Sequence, residues 1–241
     1  EGAASVDEGA IVNLSMHEVT KLLNPKVLLI VRYTDDLSLE APILIRSMIG
    51  EALIGMVFNA VPDNKMGMIE TEAKPYMEKQ GIKVFAVLPQ ERVLLSISVA
   101  ELAGSLDGQI LNSAERSEEL VENLMVGAMG VDSALDYFRR KDNKAVITGG
   151  DRPDIQLAAL QTSTKCLILT GNLAPNPLIM AQAEDRGVPM ILVKPDTLTT
   201  VEMIERVFGK GRFHQGKKIA KFQKLLEERF DYSSLYIGLN L

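Results

Sequence analysis

"NKAVITGGDRPDIQLAAL", residues 143–160, decides the fold. A short β-branched run ends at Thr148. Gly149-Gly150-Asp151-Arg152 follow, and Pro153 opens an apolar-periodic segment predicted as a helix over 153–163. Proline suits the first helical position, where its missing N–H would be unpaired anyway. A strand that passes through a glycine turn into a helix is the repeating unit of a parallel α/β sheet.

The same succession continues on both sides. Downstream come a strand at 165–170 (KCLILT), a helix at 176–187, a strand at 188–193 (VPMILV) and a helix at 197–208. Upstream, 107–111 (DGQIL) reads as a short strand and 117–140 as a helix interrupted near Gly127 or Gly130. Those two glycines are read as permitting close helix packing rather than holding phosphate. Nearer the start, the continuous apolar runs 26–33 (KVLLIVRY), 53–61 (LIGMVFNAV) and 83–89 (KVFAVLP) are typical of buried parallel strands. Helices are predicted between them at 37–50 and 67–80, with Gly81 as the stop. Strand character lapses near 95–105. The expected organisation is a first α/β unit over 1–98, a second over 99–208, and a separate segment over 209–241.

That last segment differs in kind. Residues 210–229 hold seven Lys or Arg and two acids, a local charge of +5, with Ile219, Phe222, Leu225 and Leu226 at helical spacing. It reads either as a docked amphipathic helix with a solvated basic face or as a site for an acidic partner. The apolar end, YSSLYIGLNL, is expected to add a strand or pack across a dimer.

Composition narrows the function. The chain has 241 residues, is 46% hydrophobic and 24% charged, and carries a formal net charge of −6. It can bury a sizeable core, and the acidic balance speaks against nucleic-acid binding. No apolar run approaches the ~18 residues of a membrane span. The single cysteine, Cys166, suits a reducing cytoplasm and reads as a core residue of its strand. The chain opens on Glu1 without a Met or a signal peptide, and is expected to be a fragment or a form whose N-terminal part has been removed.

In parallel α/β sheets, ligands bind beyond the carboxyl ends of the strands. Three turns of the second unit offer suitable residues there: Thr148, Gly149, Gly150, Asp151 and Arg152; Thr170, Gly171 and Asn172; Asp196 and Thr197. Helix N-termini present free N–H groups, glycines admit a phosphate to the backbone, and Arg152 is a candidate bidentate contact. The plainer alternative stays open. Asp151, Asp154, Asn176 and Thr197 are also ordinary helix caps, and Gly149-Gly150 also suit a tight turn. In the first unit, an Asn after a buried strand can present its amide to a base edge, and a carboxylate in an EGA turn can hold Mg²⁺. No G-x-x-x-x-G-K-[ST] loop seats ATP phosphates, no G-x-S-x-G elbow is present, and His17 and His214 have no partners for a zinc site.

With these residues in view, a resemblance emerges. EGAASVDEGAIVNLS, VLLIVRY, GMVFNAVP and FAVLPQERVL resemble the later half of a dethiobiotin-synthetase-like P-loop NTPase domain. LMVGAMGVDSALDYFRR, KAVITGGDRPDIQLAAL, CLILTGNLAPNP and DTLTTVEMIERVFG resemble a DRTGG domain. The pairing is similar to the N-terminal regulatory region of long phosphotransacetylases. Two parts of that family pattern, the Gly-Lys-Thr/Ser loop and the acetyltransferase domain, do not occur in this sequence. The resemblance implies an α/β fold with a partial parallel-sheet P-loop-NTPase-like unit and a second DRTGG-type α/β domain. It implies nucleotide contacts at Glu1, Asn59 and Pro89, with Glu1 near Mg²⁺ once the missing part is supplied.

The reading that follows is a regulatory, ligand-sensing protein. It is expected to bind a nucleotide such as ATP, with Mg²⁺, or another anionic metabolite. It is expected to form a homodimer through the second unit and to work beside an acetate-metabolism enzyme. The rival readings are an ATP-dependent dethiobiotin-synthetase-like ligase whose Walker loop lies on missing N-terminal residues, and a purely structural adaptor.

Overall fold

The computed structural model describes residues 5, 7–34, 39–209 and 213–241. In chain order the strands are β1 (Val27–Arg32), β2 (Leu53–Val61), β3 (Val84–Pro89), β4 (Ile97–Ser98), β5 (Gln109–Ile110), β6 (Leu120–Val121), β7 (Asn123–Val126), β8 (Lys144–Gly149), β9 (Thr164–Thr170) and β10 (Met190–Leu192). The helices are α1 (Met16–Leu23), α2 (Glu40–Ile49), α3 (Asp63–Met68), α4 (Lys74–Lys79), α5 (Arg92–Leu95), α6 (Val99–Ser105), α7 (Val131–Phe138), α8 (Pro153–Leu160), α9 (Pro177–Asp185), α10 (Thr197–Val207), α11 (Gly216–Arg229) and α12 (Tyr232–Leu239). They divide into two units. Residues to Glu91 together with Phe222–Leu241 make the first, and Arg92–Lys221 the second.

The first unit is built on a parallel sheet of order β1-β2-β3. Its central strand β2 is the continuous apolar run of the sequence, with Met56, Phe58 and Val61 fully buried. Ile45, Ile69 and Met77 pack on one face of the sheet. Phe222, Leu226, Phe230 and Leu235 pack on Val57, Phe85, Ala86 and Leu88 of the other. A parallel sheet is stable when both faces are covered, which is why the end of the chain joins this unit instead of standing apart as 209–241. The tail YSSLYIGLNL is therefore a helix, not a strand, with Asp231 accepting the Ser234 N–H at its start (2.9 Å). The helix expected at 67–80 begins earlier, at Asp63, and widens into a π turn at Ile69–Ala73. Pro75 follows within the next turn, where it has no N–H for a regular helical bond. Gly81, at φ +75°, ends it as expected.

The second unit holds a five-stranded sheet of order β5-β10-β9-β8-β7. β7 to β10 are parallel, and β5 pairs antiparallel to β10 at the edge. Ala134, Phe138, Ile155, Ala159, Ile179 and Ala183 bring α7, α8 and α9 onto one face. Val99, Leu102 and Ile204 bring α6 and α10 onto the other. Cys166 is buried in β9, and burial pushes its thiol up to about 12. No described helix is long and apolar enough to cross a membrane.

One expectation fails here. Residues 117–130 are not helical. They form β6 and β7, and only Val131–Phe138 is helix. The run LVENLMV fits period 2 as well as 3.6, and burial alternates along β7. Gly127 ends the strand where an added Cβ would lie 2.5 Å from Ile155 Cγ2, so this glycine does allow a helix, α8, to pack closely.

Candidate functional site

The carboxyl ends of β7, β8, β9 and β10 lie side by side, and the turns that leave them are stitched into one surface. Thr148 Oγ1 donates to the Gly127 carbonyl (3.2 Å). Thr170 Oγ1 is hydrogen-bonded to Thr197 Oγ1 (2.9 Å) and donates weakly to the Thr148 carbonyl (3.4 Å). The Gly171 and Asn172 N–H groups donate to the carbonyls of Pro195 and Val193 (both 2.8 Å). Gly171 and Asn172 both take left-handed φ, +77° and +57°, which glycine and asparagine tolerate best. All ten residues singled out in these turns thus share one edge of one sheet. Thr148 and Thr170 are buried and committed to neighbouring turns.

The β8–α8 turn is the most elaborate. The Gly149 carbonyl accepts from Arg152 N (3.1 Å), closing a four-residue turn. Arg152 Nε and Nη2 donate to the two carboxylate oxygens of Asp154 (3.0 and 2.9 Å), and Nη2 also donates to the Met129 carbonyl (3.0 Å). The bidentate hydrogen bonds hold the Asp154 carboxyl below the usual carboxylate range and raise the Arg152 guanidinium. Both side chains are partly exposed. The fork is thus engaged by Asp154 and Met129, while part of it stays open to solvent.

Of the helix starts at this edge, those of α9 and α10 are capped by side chains, and those of α7 and α8 are not. Asn176 Oδ1 accepts from Ile179 N (3.0 Å), and Asp196 Oδ1 from Thr199 N (2.8 Å). The Thr199 N–H bond keeps the Asp196 carboxyl below its ordinary range. Around the polar floor, Val131, Leu173, Leu178 and Leu198 stand at helix starts or in the β9–α9 turn, and all are exposed. Asp151 and Lys194 are exposed as well. The edge therefore offers a partly exposed Arg, a Lys and an apolar rim. An open cleft of about 430 Å³ lies elsewhere in this unit, lined by Glu115, Arg116, Glu118, Glu119 and Lys217 among others. Glu119 there is paired with Lys165 (2.8 Å), which lowers its pKa.

In the first unit, Asn59 and Pro89 stand at the carboxyl ends of adjacent strands, both half-buried. Register shifts between Phe58 and Val61, and Ala60 takes φ +57°. A non-glycine residue there stores backbone strain, typical of functional loops. Glu1 and the Mg²⁺ contact expected of it lie outside the described residues. Among those described, no group of three or more His, Cys, Asp or Glu is placed to hold a metal ion.

Sequence reasoning missed two features. Asp154 claims the Arg152 fork that was expected to face a ligand. Gln156, buried beneath the glycine turn, gave no signal because a lone Gln in an apolar helix has no motif.

Residues 101–207 match the model of the DRTGG domain. The chain is 29% identical over 195 residues to a phosphate acetyltransferase of Synechocystis sp., covering 76% of this chain and 27% of that protein. It is 31% identical over 159 residues to a phosphate acetyltransferase of Nitratidesulfovibrio vulgaris, covering 62% and 22%. The chain thus spans about a quarter of the length of these relatives. Among solved structures it is similar to the CBS and DRTGG domains of the regulatory region of Clostridium perfringens pyrophosphatase, complexed with the activator diadenosine tetraphosphate. That likeness has a TM-score of 0.43 and 18% identity, and covers 66% of this chain and 77% of the other.

Proposed function

From a chain with a DRTGG-matching unit and phosphate acetyltransferase relatives, we propose a regulatory module that senses a nucleotide or phosphorylated metabolite at the carboxyl edge of the second sheet. The observation that carries this reading is the partly exposed Arg152 fork, positioned at the β8–α8 turn by the Asp154 carboxylate and the Met129 carbonyl. A phosphoryl group matches the same planar fork and carries more charge than Asp154. The apolar rim suits the body of such a ligand, and Lys194 adds charge. The expected partners are a second copy, through the second unit, and an enzyme of acetate metabolism. The expected location is cytoplasmic.

The test is equilibrium titration of the chain with ATP, ADP, acetyl phosphate and diadenosine tetraphosphate at fixed salt, read by calorimetry and thermal shift. A true ligand at a hundredfold over Kd should stabilise by roughly 2.7 kcal/mol. Arg152→Ala should weaken binding about tenfold or more by removing a charge-assisted contact. Asp154→Asn should tighten it several-fold by removing the carboxylate that competes for the fork. If both variants bind like the parent chain, no anion sits on Arg152 and the assignment fails.

The strained bulge beside Asn59 favours a second reading, nucleotide contact by the first unit. That unit would be dethiobiotin-synthetase-like, with Asn59 facing a base, Pro89 flanking it, and Glu1 near Mg²⁺. Asn59→Ala should then weaken ATP binding without altering the response to acetyl phosphate. Equal losses for both ligands, or none, would argue against it.

A further inference from the structure

Gln156 is fully buried in α8, between apolar neighbours Ile155, Ala158, Ala159 and Leu160. Its Nε2 donates to two successive carbonyls of the glycine turn, Gly149 (2.8 Å) and Gly150 (3.1 Å), while its Oε1 has no hydrogen-bond partner. A flipped amide would set its oxygen against those same carbonyls, so the orientation is fixed by the contacts. A buried, unpartnered amide oxygen is a cost that an apolar residue of similar size avoids. The turn has no need of this amide to close, because Arg152 N already donates to the Gly149 carbonyl.

The amide supplies something else. A trans peptide is planar, so its N–H points opposite to its carbonyl. Drawing the Gly150 carbonyl inward to Gln156 therefore turns the N–H of Asp151 outward, at an exposed residue beside Arg152. We infer that Gln156 is a positioning residue: it fixes the Gly150–Asp151 peptide so that the Asp151 N–H and the Arg152 guanidinium address one phosphoryl oxygen group together. This rests on the proposed sensing role and specifies it. Backbone donors so oriented make anion-binding concavities without adding net charge. The inference also accounts for a local composition that is otherwise unfavourable. Asp151 and Asp154 make the turn acidic, so a fixed N–H direction, rather than charge alone, has to select the ligand.

The experiment uses the whole chain, ¹⁵N-labelled, titrated with ATP and separately with inorganic phosphate. In the parent chain the Asp151 amide resonance should move downfield to saturation along the binding curve. Gln156→Met, which removes the donor to the Gly150 carbonyl, should lose the Asp151 response and weaken ATP binding about tenfold. Parent-like affinity in a folded Gln156→Met chain would overturn the inference and leave the sensing role standing. So would ATP binding to the parent chain that leaves the Asp151 amide unmoved, a result that needs no variant and decides the matter even if Gln156→Met fails to fold. Absence of any binding by the parent chain would remove the sensing role itself, and this inference with it.

Discussion

Gly150→Ala is expected to destabilise the second unit by about 3 kcal/mol or more, at the upper end of overpacking costs. A Cβ built on Gly150 would stand 1.6 Å from the Leu173 carbonyl oxygen, 2.5 Å from its carbon and 2.7 Å from Leu173 Cβ. Two of the three atoms are backbone, so no side-chain rotation relieves the clash. The loop that carries them is also tied down, because Gly171 and Asn172 donate to Pro195 and Val193. The variant must therefore break the stitching of three turns to make room. Gly104→Ala is the control. Gly104 lies within α6, nothing stands within 4 Å of its added Cβ, and alanine there should stabilise by up to ~1 kcal/mol. Urea unfolding followed by far-UV circular dichroism separates the two. Equal stability of Gly150→Ala and the parent chain would mean that the β8 and β9 turns do not meet.

That contact also explains the glycine pair that opened the sequence reading. Gly150 is required because the neighbouring turn passes against it. At Gly149 an added Cβ would meet Asp151 Oδ1 at 2.4 Å. Gly150 thus serves the approach of one backbone to another, whereas Gly149 faces only side-chain atoms of Asp151 and Arg152. What identifies the edge as a candidate site is the arrangement above them: the Arg152 fork, the exposed Asp151 and the buried Gln156.

Legibility in the sequence followed the strength of local physics. The bounds of β2 were legible because a short, mostly apolar run between turn residues fits a buried strand better than a helix. The three turns were legible because Gly, Asn, Asp and Pro have specific backbone preferences, and Asn176 does cap its helix. The β6–β7 segment was not legible, since seven residues of mixed polarity satisfy two periods. Its outcome was settled by partners far along the chain, Ile97 and Ser98 for β6 and Lys144 to Ile147 for β7. The pairing of Arg152 with Asp154 was hidden for a different reason. Residues two apart do not meet on a regular helix, and these meet only because the turn ends between them. Gln156 was hidden because its role depends on which way two distant carbonyls face.

Lys144→Met is expected to stabilise the protein, and to do so in a pH-dependent way. Lys144 is fully buried at the start of β8, where its Nζ donates to the Ser163 carbonyl (3.0 Å). Burial pushes its pKa down from the ordinary lysine value of 10.5 to about 8, with the Asp142 carboxylate offsetting part of the effect. A lowered lysine pKa means that the folded chain resists the proton. Between pH about 8 and 10.5 the unfolded chain binds that proton and the folded chain does not. Stability contributed at this residue therefore rises with pH across that window, by about 1.4 kcal/mol per unit and about 3 kcal/mol in all. Below pH 8 the folded chain carries the full cost of a buried charge. Methionine keeps most of the packed volume and removes the charge, as when buried ions are replaced by apolar groups. The variant should gain about 1–3 kcal/mol at pH 7 in urea unfolding, and the gain should shrink as pH approaches 10.5. A loss at pH 7 would show that the Ser163 hydrogen bond outweighs desolvation at this position, and a gain that does not change with pH would show that folding does not lower the Lys144 pKa.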